Sequence, residues 1–192
     1  MSPDSNDRQL ASQWAQELLS RENWCILDTE TTGLGSNAEI WQLAVIDHKG
    51  ETLFDSLIEP AVEIEPGAIA IHGISNADVE GAGGFHLHLT PLLQAIRNRD
   101  IVIYNAEFDL RLLRQSARPY GIWLAFPTSD RRQCRIFTNG GSIHCAMIWF
   151  SQWVGEWDSY HGNYKWQRLP GGDHSALGDC KATLEVIKSM AD

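Results

Sequence analysis

The stretch WCILDTETTG, residues 24–33, decides the fold because it joins a short apolar run to a pair of acidic side chains. The apolar part, residues 24–27, is typical of a buried strand, and residues 31–33 turn the chain away from it. Asp28 and Glu30 are two residues apart, so their side chains point to the same face at the strand end. The stretch therefore predicts two carboxylates at the end of a buried strand.

Two further acidic clusters follow other predicted elements. Asp109, in the sequence YNAEFD, follows the apolar run 101–104 and falls in the first turn of a helix predicted over 107–118, where the helix dipole favours a carboxylate. His174 and Asp179, in HSALGD, lie near the start of a C-terminal helix, either on neighbouring faces or with His174 just before the helix. Singly, each cluster is also explained by an element end in solvent. Their joint occurrence favours a site.

Four carboxylates and one histidine form a set suited to phosphodiester hydrolysis. Mg²⁺ and Mn²⁺ bind hard oxygen ligands, so carboxylates that converge from separate elements can hold two such ions on a scissile phosphate. Histidine titrates at about pH 6.5 in model peptides, so a neutral imidazole able to accept a proton is available at neutral pH. These residue types predict a metal-dependent hydrolase with His174 as general base.

The order and context of these motifs resemble those of the DEDDh exonucleases in the ribonuclease H-like superfamily. That family includes bacterial polymerase proofreading subunits, oligoribonuclease and RNase T. A further stretch, residues 71–74 (IHGI), is similar to the family segment that touches the terminal nucleotide, and the resemblance extends over about residues 23–190. It implies 3′-to-5′ removal of nucleoside 5′-monophosphates with two divalent ions, Mg²⁺ or Mn²⁺.

The resemblance also implies individual roles. It makes metal ligands of Asp28, Glu30, Asp109 and Asp179, and catalytic groups of Glu30 and of His174, which would deprotonate the attacking water. It implies substrate contacts for six residues: Thr31, Thr32, Gly33, Leu34, His72 and Phe108. Leu34 would wedge against the terminal base, whereas His72 could equally be a helix-start histidine bonded to backbone. The chain departs from the family pattern at Tyr104, where a histidine is common, and at Ser175 and Cys180. These departures concern substrate preference more than catalysis.

The remaining pattern predicts an α/β, ribonuclease H-like fold: a mixed five-stranded sheet flanked by helices. Strands are predicted over 23–29, 39–47, 51–59, 101–105 and 142–145, and helices over 7–20, 91–98, 107–118 and 146–153. Residues 1–22 are predicted to be an N-terminal helical extension, and residues 23–192 the exonuclease domain.

Four of the eight tryptophans crowd into one segment: Trp149, Trp153, Trp157 and Trp166. Aromatic rings can stack on bases without sequence preference, which would make the segment a binding platform. Tryptophans more often bury large areas in a core, and the core reading is favoured here.

The net charge of −10 is unevenly distributed. Residues 1–96 hold three basic and fifteen acidic side chains, whereas residues 97–135 hold eight basic and four acidic ones. The basic part contains two arginine groups: Arg111, Arg114 and Arg118, then Arg131, Arg132 and Arg135. These groups either meet phosphates or form a solvated surface, and the sequence does not decide between them. The acidic remainder suits single-stranded DNA or RNA 3′ ends better than long duplexes.

The composition of the chain limits its predicted location and partners. No apolar run reaches the roughly 18 residues of a membrane helix, and the polar start lacks the regions of a signal peptide, so the chain is predicted to be cytoplasmic with no membrane partner. Proofreading or processing would need a separate polymerase or processing-complex partner. The alternative function is a nucleic-acid or polymerase binding module that kept the fold and lost turnover. The oligomeric state stays open.

Overall fold

One mixed sheet organises the chain in the computed structural model, which describes residues 6–124, 134–135 and 141–192. Its strands are β1 (Trp24–Thr31), β2 (Ile40–Asp47), β3 (Thr52–Leu57), β4 (Asp100–Ile103), β5 (Cys134–Arg135) and β6 (Ser142–Cys145), in the order β3-β2-β1-β4-β6-β5. Strand β1 pairs antiparallel with β2 and parallel with β4, which is parallel to β6. The predicted five-stranded mixed sheet is confirmed, and the two-residue β5 extends its edge.

Helices flank this sheet. They are α1 (Asp7–Leu19), α2 (Pro66–His72), α3 (Asn76–Val79), α4 (Phe85–Ala95), α5 (Ala106–Ala117), α6 (Ala146–Val154) and α7 (Ala176–Ala191), with a 3₁₀ turn at Arg118–Tyr120. A small hairpin, β7 (Trp157–Asp158) with β8 (Asn163–Tyr164), lies between α6 and α7. Among the described residues, no helix combines the length and apolar character that crossing a bilayer requires.

Helix α4 differs from the prediction, which placed a helix over 91–98. The helix begins six residues earlier and ends at Ala95, with Pro91 inside it. Phe85 and Leu92, two turns apart, are 2% and 3% exposed. Burial of this face in the core stabilises the turns that precede Pro91, although proline favours the first position of a helix.

The sheet order explains why distant parts of the sequence meet. Because β1 and β4 are parallel, their carboxyl ends lie at the same edge of the sheet, and α5 starts three residues after β4. Helix α7 packs across β1 and β2. At its start the Cys180 thiol is fully buried and donates to the carbonyls of Ile26 and Ala44, at 3.7 and 3.6 Å. The cysteine that departs from the family pattern is thus a packing residue beneath the acidic motifs.

Helix α1 packs against α6 and α7. Its Ala11, Ala15 and Leu18 are fully buried. The Trp14 ring stacks on Trp149 with centroids 5.3 Å apart, and its indole N–H donates to His144 Nδ1 at 3.3 Å. The predicted boundary at residue 22 stays a prediction, but this helix contributes side chains to the same core as the sheet.

Candidate functional site

Three carboxylates converge where β1 ends and α7 begins. One oxygen from each of Asp28, Glu30 and Asp179 lies within 4.8 Å of the others. Asp28 and Glu30 project from β1 near a register shift between Glu30 and Thr31, and Asp179 lies in the first turn of α7. Three hard oxygen donors at this separation fit a divalent cation such as Mg²⁺ or Mn²⁺.

Asp109 reaches the same cleft from the first turn of α5, as its position after β4 predicts. Its side chain is 3% exposed, and its Oδ1 accepts a 2.7 Å hydrogen bond from the Thr29 hydroxyl. Thr29 was not among the predicted site residues. Its position between Asp28 and Glu30 was the available signal, since a hydroxyl there can bond a neighbouring carboxylate.

His174 lies immediately before α7, which decides between the two placements that its spacing allowed. The helix begins after Ser175, whose hydroxyl caps it by accepting from the Gly178 N–H at 3.1 Å. The backbone N–H groups of Asp173 and His174 donate to Asp179 Oδ1, at 3.0 and 3.3 Å. His174 has φ 62°, a left-handed conformation that non-glycine residues rarely adopt. Its exposed ring lines the cleft.

The cleft beside these residues has a volume of about 180 Å³. It brings together six predicted site residues: Asp28, Glu30, Phe108, Asp109, His174 and Asp179. Four more residues line it that the sequence did not single out for this purpose: Thr29, Tyr104, Asn105 and Leu169. The arrangement places an exposed imidazole and four carboxylates around one open space.

Burial is the largest cause of the raised pKa values in this cluster. It raises the pKa of Asp28 well above its usual range, and the neighbouring charges of Asp109, Asp179 and Glu30 add to the effect. Burial followed by the charges of Asp179 and Asp109 raises the pKa of Glu30 to about 8. The pKa of Asp109 rises to about 7 because burial outweighs the Thr29 hydrogen bond. Several carboxyl groups that are difficult to ionise at the same time indicate a site that binds positive charge, which would stabilise their ionised forms.

We expect the metal-free protein to lose stability as the pH rises from about 6.5 to about 8. In this interval the folded state keeps protons on Glu30 and Asp109 that the unfolded chain has already released. Stability falls with pH wherever the folded state binds more protons, so unfolding becomes easier by about 1 to 2 kcal/mol. The interval starts at about pH 6.5 to leave out the half-buried His72 and the buried His144. The pKa values of both histidines are lowered by burial, so below that pH they make stability rise with pH.

The measurement is the thermal midpoint in EDTA at both ends of this pH interval. Mg²⁺ or Mn²⁺ should remove the loss, because ion binding requires the deprotonated carboxylates. Glu30→Gln should flatten the metal-free profile, whereas Glu185→Gln, on the exposed side of α7, should leave it unchanged. A metal-free midpoint that is constant or rises would contradict the electrostatics described above.

The loop after β1 is held by its own polar groups. The Thr31 hydroxyl donates to the Gly33 carbonyl at 2.9 Å, and Thr32 exchanges two hydrogen bonds with the Glu39 backbone. The carboxylate of the exposed Glu65 side chain lies against Gly33, where a Cβ would require that side chain to move. Neither threonine lines the cleft, and the Thr32 N–H and carbonyl are bonded to the backbones of Glu39 and Glu65. The substrate contacts predicted for residues 31–33 stay a prediction.

Arg111, in α5, forms hydrogen bonds with the loop after β1. Its guanidinium donates to the Gly35 carbonyl at 3.0 Å and to the Leu34 carbonyl at 3.5 Å, and lies 5.1 Å from the Phe108 ring centre. The Leu34 side chain is 78% exposed. Arg111 therefore supports Leu34, the predicted base contact, and Phe108, the predicted sugar or base contact. Its guanidinium is partly exposed and bonds loop carbonyls, and its predicted contact with phosphate stays a prediction. Arg131, Arg132 and the Arg135 side chain lie outside the described residues.

His72 is the last residue of α2, so the alternative that it starts a helix is wrong. Its Nδ1 accepts from the Ile74 N–H at 3.1 Å, and its ring centre lies 4.5 Å from that of Trp41. Burial, followed by the charge of His174, lowers the pKa of His72, which places the two histidines in the same electrostatic neighbourhood. His72 does not line the cleft, and its predicted contact with substrate stays a prediction.

The chain belongs to the RNase T exonuclease family, whose model matches residues 25–187. It is 32% identical over 194 residues to the uncharacterized exonuclease CP81 of Escherichia phage 186, covering 95% of this chain and 93% of that protein. It is 26% identical over 176 residues to the DNA polymerase III subunit epsilon of Buchnera aphidicola subsp. Baizongia pistaciae, covering 86% of this chain and 69% of that subunit.

Two solved structures share the fold. Escherichia coli exonuclease I, bound to a dT13 oligonucleotide, matches with a TM-score of 0.63 and 18% identity over 88% of this chain. Exonuclease X, bound to duplex DNA with a 5′ overhang, matches with a TM-score of 0.52 and 26% identity over 86% of this chain. The chain spans 41% of the exonuclease I chain and 91% of the exonuclease X chain. A third relative, a DNA polymerase III subunit epsilon from another Buchnera aphidicola subspecies, Acyrthosiphon pisum, is matched over 45% of its length.

Proposed function

We propose that this protein is a metal-dependent 3′-to-5′ exonuclease that releases nucleoside 5′-monophosphates from ends of single-stranded DNA or short RNA. The observation that carries the proposal is the convergence of Asp28, Glu30 and Asp179 within 4.8 Å, in the cleft that also holds His174. DNA in the complex of exonuclease X, which is 26% identical, supports a DNA substrate. The proposed catalytic unit is residues 23–192.

The carboxylates would hold two divalent ions, Mg²⁺ or Mn²⁺. Asp28, Glu30 and Asp179 offer hard oxygen donors from two elements, and Asp109 adds a fourth from α5. When bound, the ions supply charge neutralisation at the phosphate and a lowered pKa for water. Burial first, and the mutual negative charge second, raise the pKa values of Asp28 and Glu30, and that negative charge is what would bind the ions.

His174 would take the proton from the attacking water. The water oxygen forms a bond to phosphorus, the bond from phosphorus to the 3′ oxygen of the preceding nucleotide breaks, and that oxygen takes a proton from solvent. Asp179 accepts bonds from the His174 and Asp173 backbone, which fixes the start of α7 next to the cleft. The imidazole ring makes no hydrogen bond with any residue in the described parts of the chain, so it is free to act on water.

The terminal nucleotide would lie between the loop after β1 and α5. Leu34 would contact its base from the loop, and Phe108 from the cleft wall, both supported by Arg111. The net charge of −10 disfavours long duplex tracts, so a short single-stranded end held at the carboxylates is the proposed substrate. Relatives named as polymerase subunits support the proposed separate polymerase partner, and a cytoplasmic setting is proposed with it.

A time course on 5′-labelled single-stranded DNA and RNA tests the proposal. With Mg²⁺ or Mn²⁺, a ladder that shortens by one nucleotide from the 3′ end is expected, and EDTA and Asp28→Ala should abolish it. Immediate release of the label as a mononucleotide would instead indicate the 5′-to-3′ direction. Binding without cleavage under all metals would favour the alternative of a silent binding module.

A further inference from the structure

Residues 165–169, here called the strip, connect the β7–β8 hairpin to the cleft. At one end the Lys165 N–H donates to the Glu156 carbonyl at 2.8 Å. In the middle, the Gln167 carbonyl accepts a 3.0 Å hydrogen bond from the Tyr104 hydroxyl. At the other end, Leu169 lines the cleft beside the carboxylates. The strip is therefore held by one bond to Glu156 and by one bond to Tyr104, a residue of the cleft wall, and it reaches the cleft at Leu169.

Burial alternates along the strip. Gln167 and Leu169 are half-buried, whereas Trp166 and Arg168 are exposed. In a non-helical segment such alternation puts residues two apart on the same side. An aromatic ring and a guanidinium thus share the outer side of a segment whose inner side contacts the cleft.

Trp166 differs from the other tryptophans of its segment. Trp149 and Trp153 are half-buried and pack against the hydrophobic core, and Trp157 packs edge-on against Tyr164 at 5.2 Å. Trp166 is 66% exposed. The predicted core assignment therefore holds for Trp149 and Trp153, and Trp166 presents a large ring to solvent at a position next to the cleft.

We propose that Trp166 and Arg168 form a second nucleotide subsite for the single strand. This proposal rests on the function proposed above. Trp166 would stack on a base upstream of the scissile phosphate, and Arg168 would contact a phosphate of the same stretch. Stacking on an aromatic ring tolerates any base, and an adjacent cation follows the backbone, which together suit a sequence-independent single strand. Tyr104 is the positioning residue of this subsite.

The observations favour nucleic acid over a protein as the occupant. The strip is continuous with the cleft through Leu169, so a strand whose terminal phosphate lies at the carboxylates would pass it. Arg168 places positive charge next to Trp166 in a chain with a net charge of −10, where cations are scarce. That cation matches the phosphate backbone that accompanies a stacked base.

Two substrates of different length test the subsite. An aryl ester of thymidine 5′-monophosphate fills only the terminal position, whereas an unstructured oligonucleotide also reaches the strip. Trp166→Ala should raise KM for the oligonucleotide about tenfold and leave the ester unchanged, and Trp166→Phe should restore most of the loss. Trp123→Ala, at a tryptophan that is 90% exposed and does not line the cleft, is the matched control.

A direct measurement of oligonucleotide binding tests the subsite independently of the proposed exonuclease activity. Fluorescence anisotropy of a labelled oligonucleotide with Ca²⁺ in place of Mg²⁺ should show weaker binding by Trp166→Ala, without turnover. Arg168→Gln should weaken binding and reduce the slope of log affinity against log salt by about 0.7. If the unaltered protein hydrolyses neither substrate, the proposed exonuclease activity is rejected. The anisotropy measurement still tests the subsite, because it does not depend on turnover. Equal affinity of Trp166→Ala and the unaltered protein, or an equal loss in Trp123→Ala, would overturn it.

Discussion

Asp28→Asn is expected to abolish hydrolysis and, at the same time, to stabilise the metal-free protein. The substitution removes one of the three oxygens that lie within 4.8 Å of one another, so kcat/KM should fall by at least about three orders of magnitude. It also removes a buried acid whose pKa is raised by burial and by three neighbouring carboxylates. An amide of nearly the same shape carries no charge to desolvate, so the thermal midpoint in EDTA should rise.

The two readouts together distinguish a metal ligand from a structural residue. The midpoint should be measured at about pH 8, where the ionised cluster is most costly, with activity assayed on a single-stranded oligonucleotide. Glu185→Gln replaces an exposed acid of α7 that pairs with Lys188 at 2.8 Å, and should change neither quantity appreciably. Loss of activity together with a lower midpoint would mean that Asp28 acts through the fold, and unchanged activity would reject it as a ligand.

His174→Asn is expected to lower kcat by a factor of about 10² to 10⁴, the usual contribution of a general base. Asparagine is chosen because His174 has φ 62°, and asparagine tolerates the left-handed region better than most residues. The backbone N–H that donates to Asp179 is kept, so the start of α7 should persist. Only the imidazole is lost.

Metal binding separates this variant from Asp28→Asn. His174→Asn should keep the stabilisation that Mg²⁺ or Mn²⁺ confers on the thermal midpoint, because it removes no carboxylate. His86→Asn, which replaces an exposed histidine of α4, is the matched control and should keep full activity. A His174→Asn enzyme with wild-type kcat would assign proton removal to another group, and a variant that no longer responds to metal would place His174 among the ligands.

The acidic site was predictable because its signals are local. Asp28 and Glu30 follow a continuous apolar run, and Asp109 and Asp179 fall in the first turns of α5 and α7. A strand end and a helix start each orient a side chain through backbone geometry that is set within a few residues. The motif order then indicated that the three segments meet, and the parallel pairing of β1 with β4 shows how.

The contacts that support the site were not predictable from the same signals. Arg111 has the helical spacing of a solvated residue, yet its guanidinium holds the loop carbonyls of Gly35 and Leu34. Tyr104 was noted only as a departure from a family pattern, yet its hydroxyl fixes the strip at Gln167. Each contact joins residues that are more than 60 positions apart, so neither periodicity nor local spacing reports on it.

The sequence by itself determined the mixed sheet, the four acidic positions and the membership of an exonuclease family, because apolar periodicity and short motifs encode them locally. Only the tertiary structure decided the start of α4, the position of His174 before α7, and the exposure of Trp166 beside the cleft. The physical reason is that burial is a property of the packed chain. The same tryptophan or phenylalanine is a core residue or a surface residue according to which distant segment covers it.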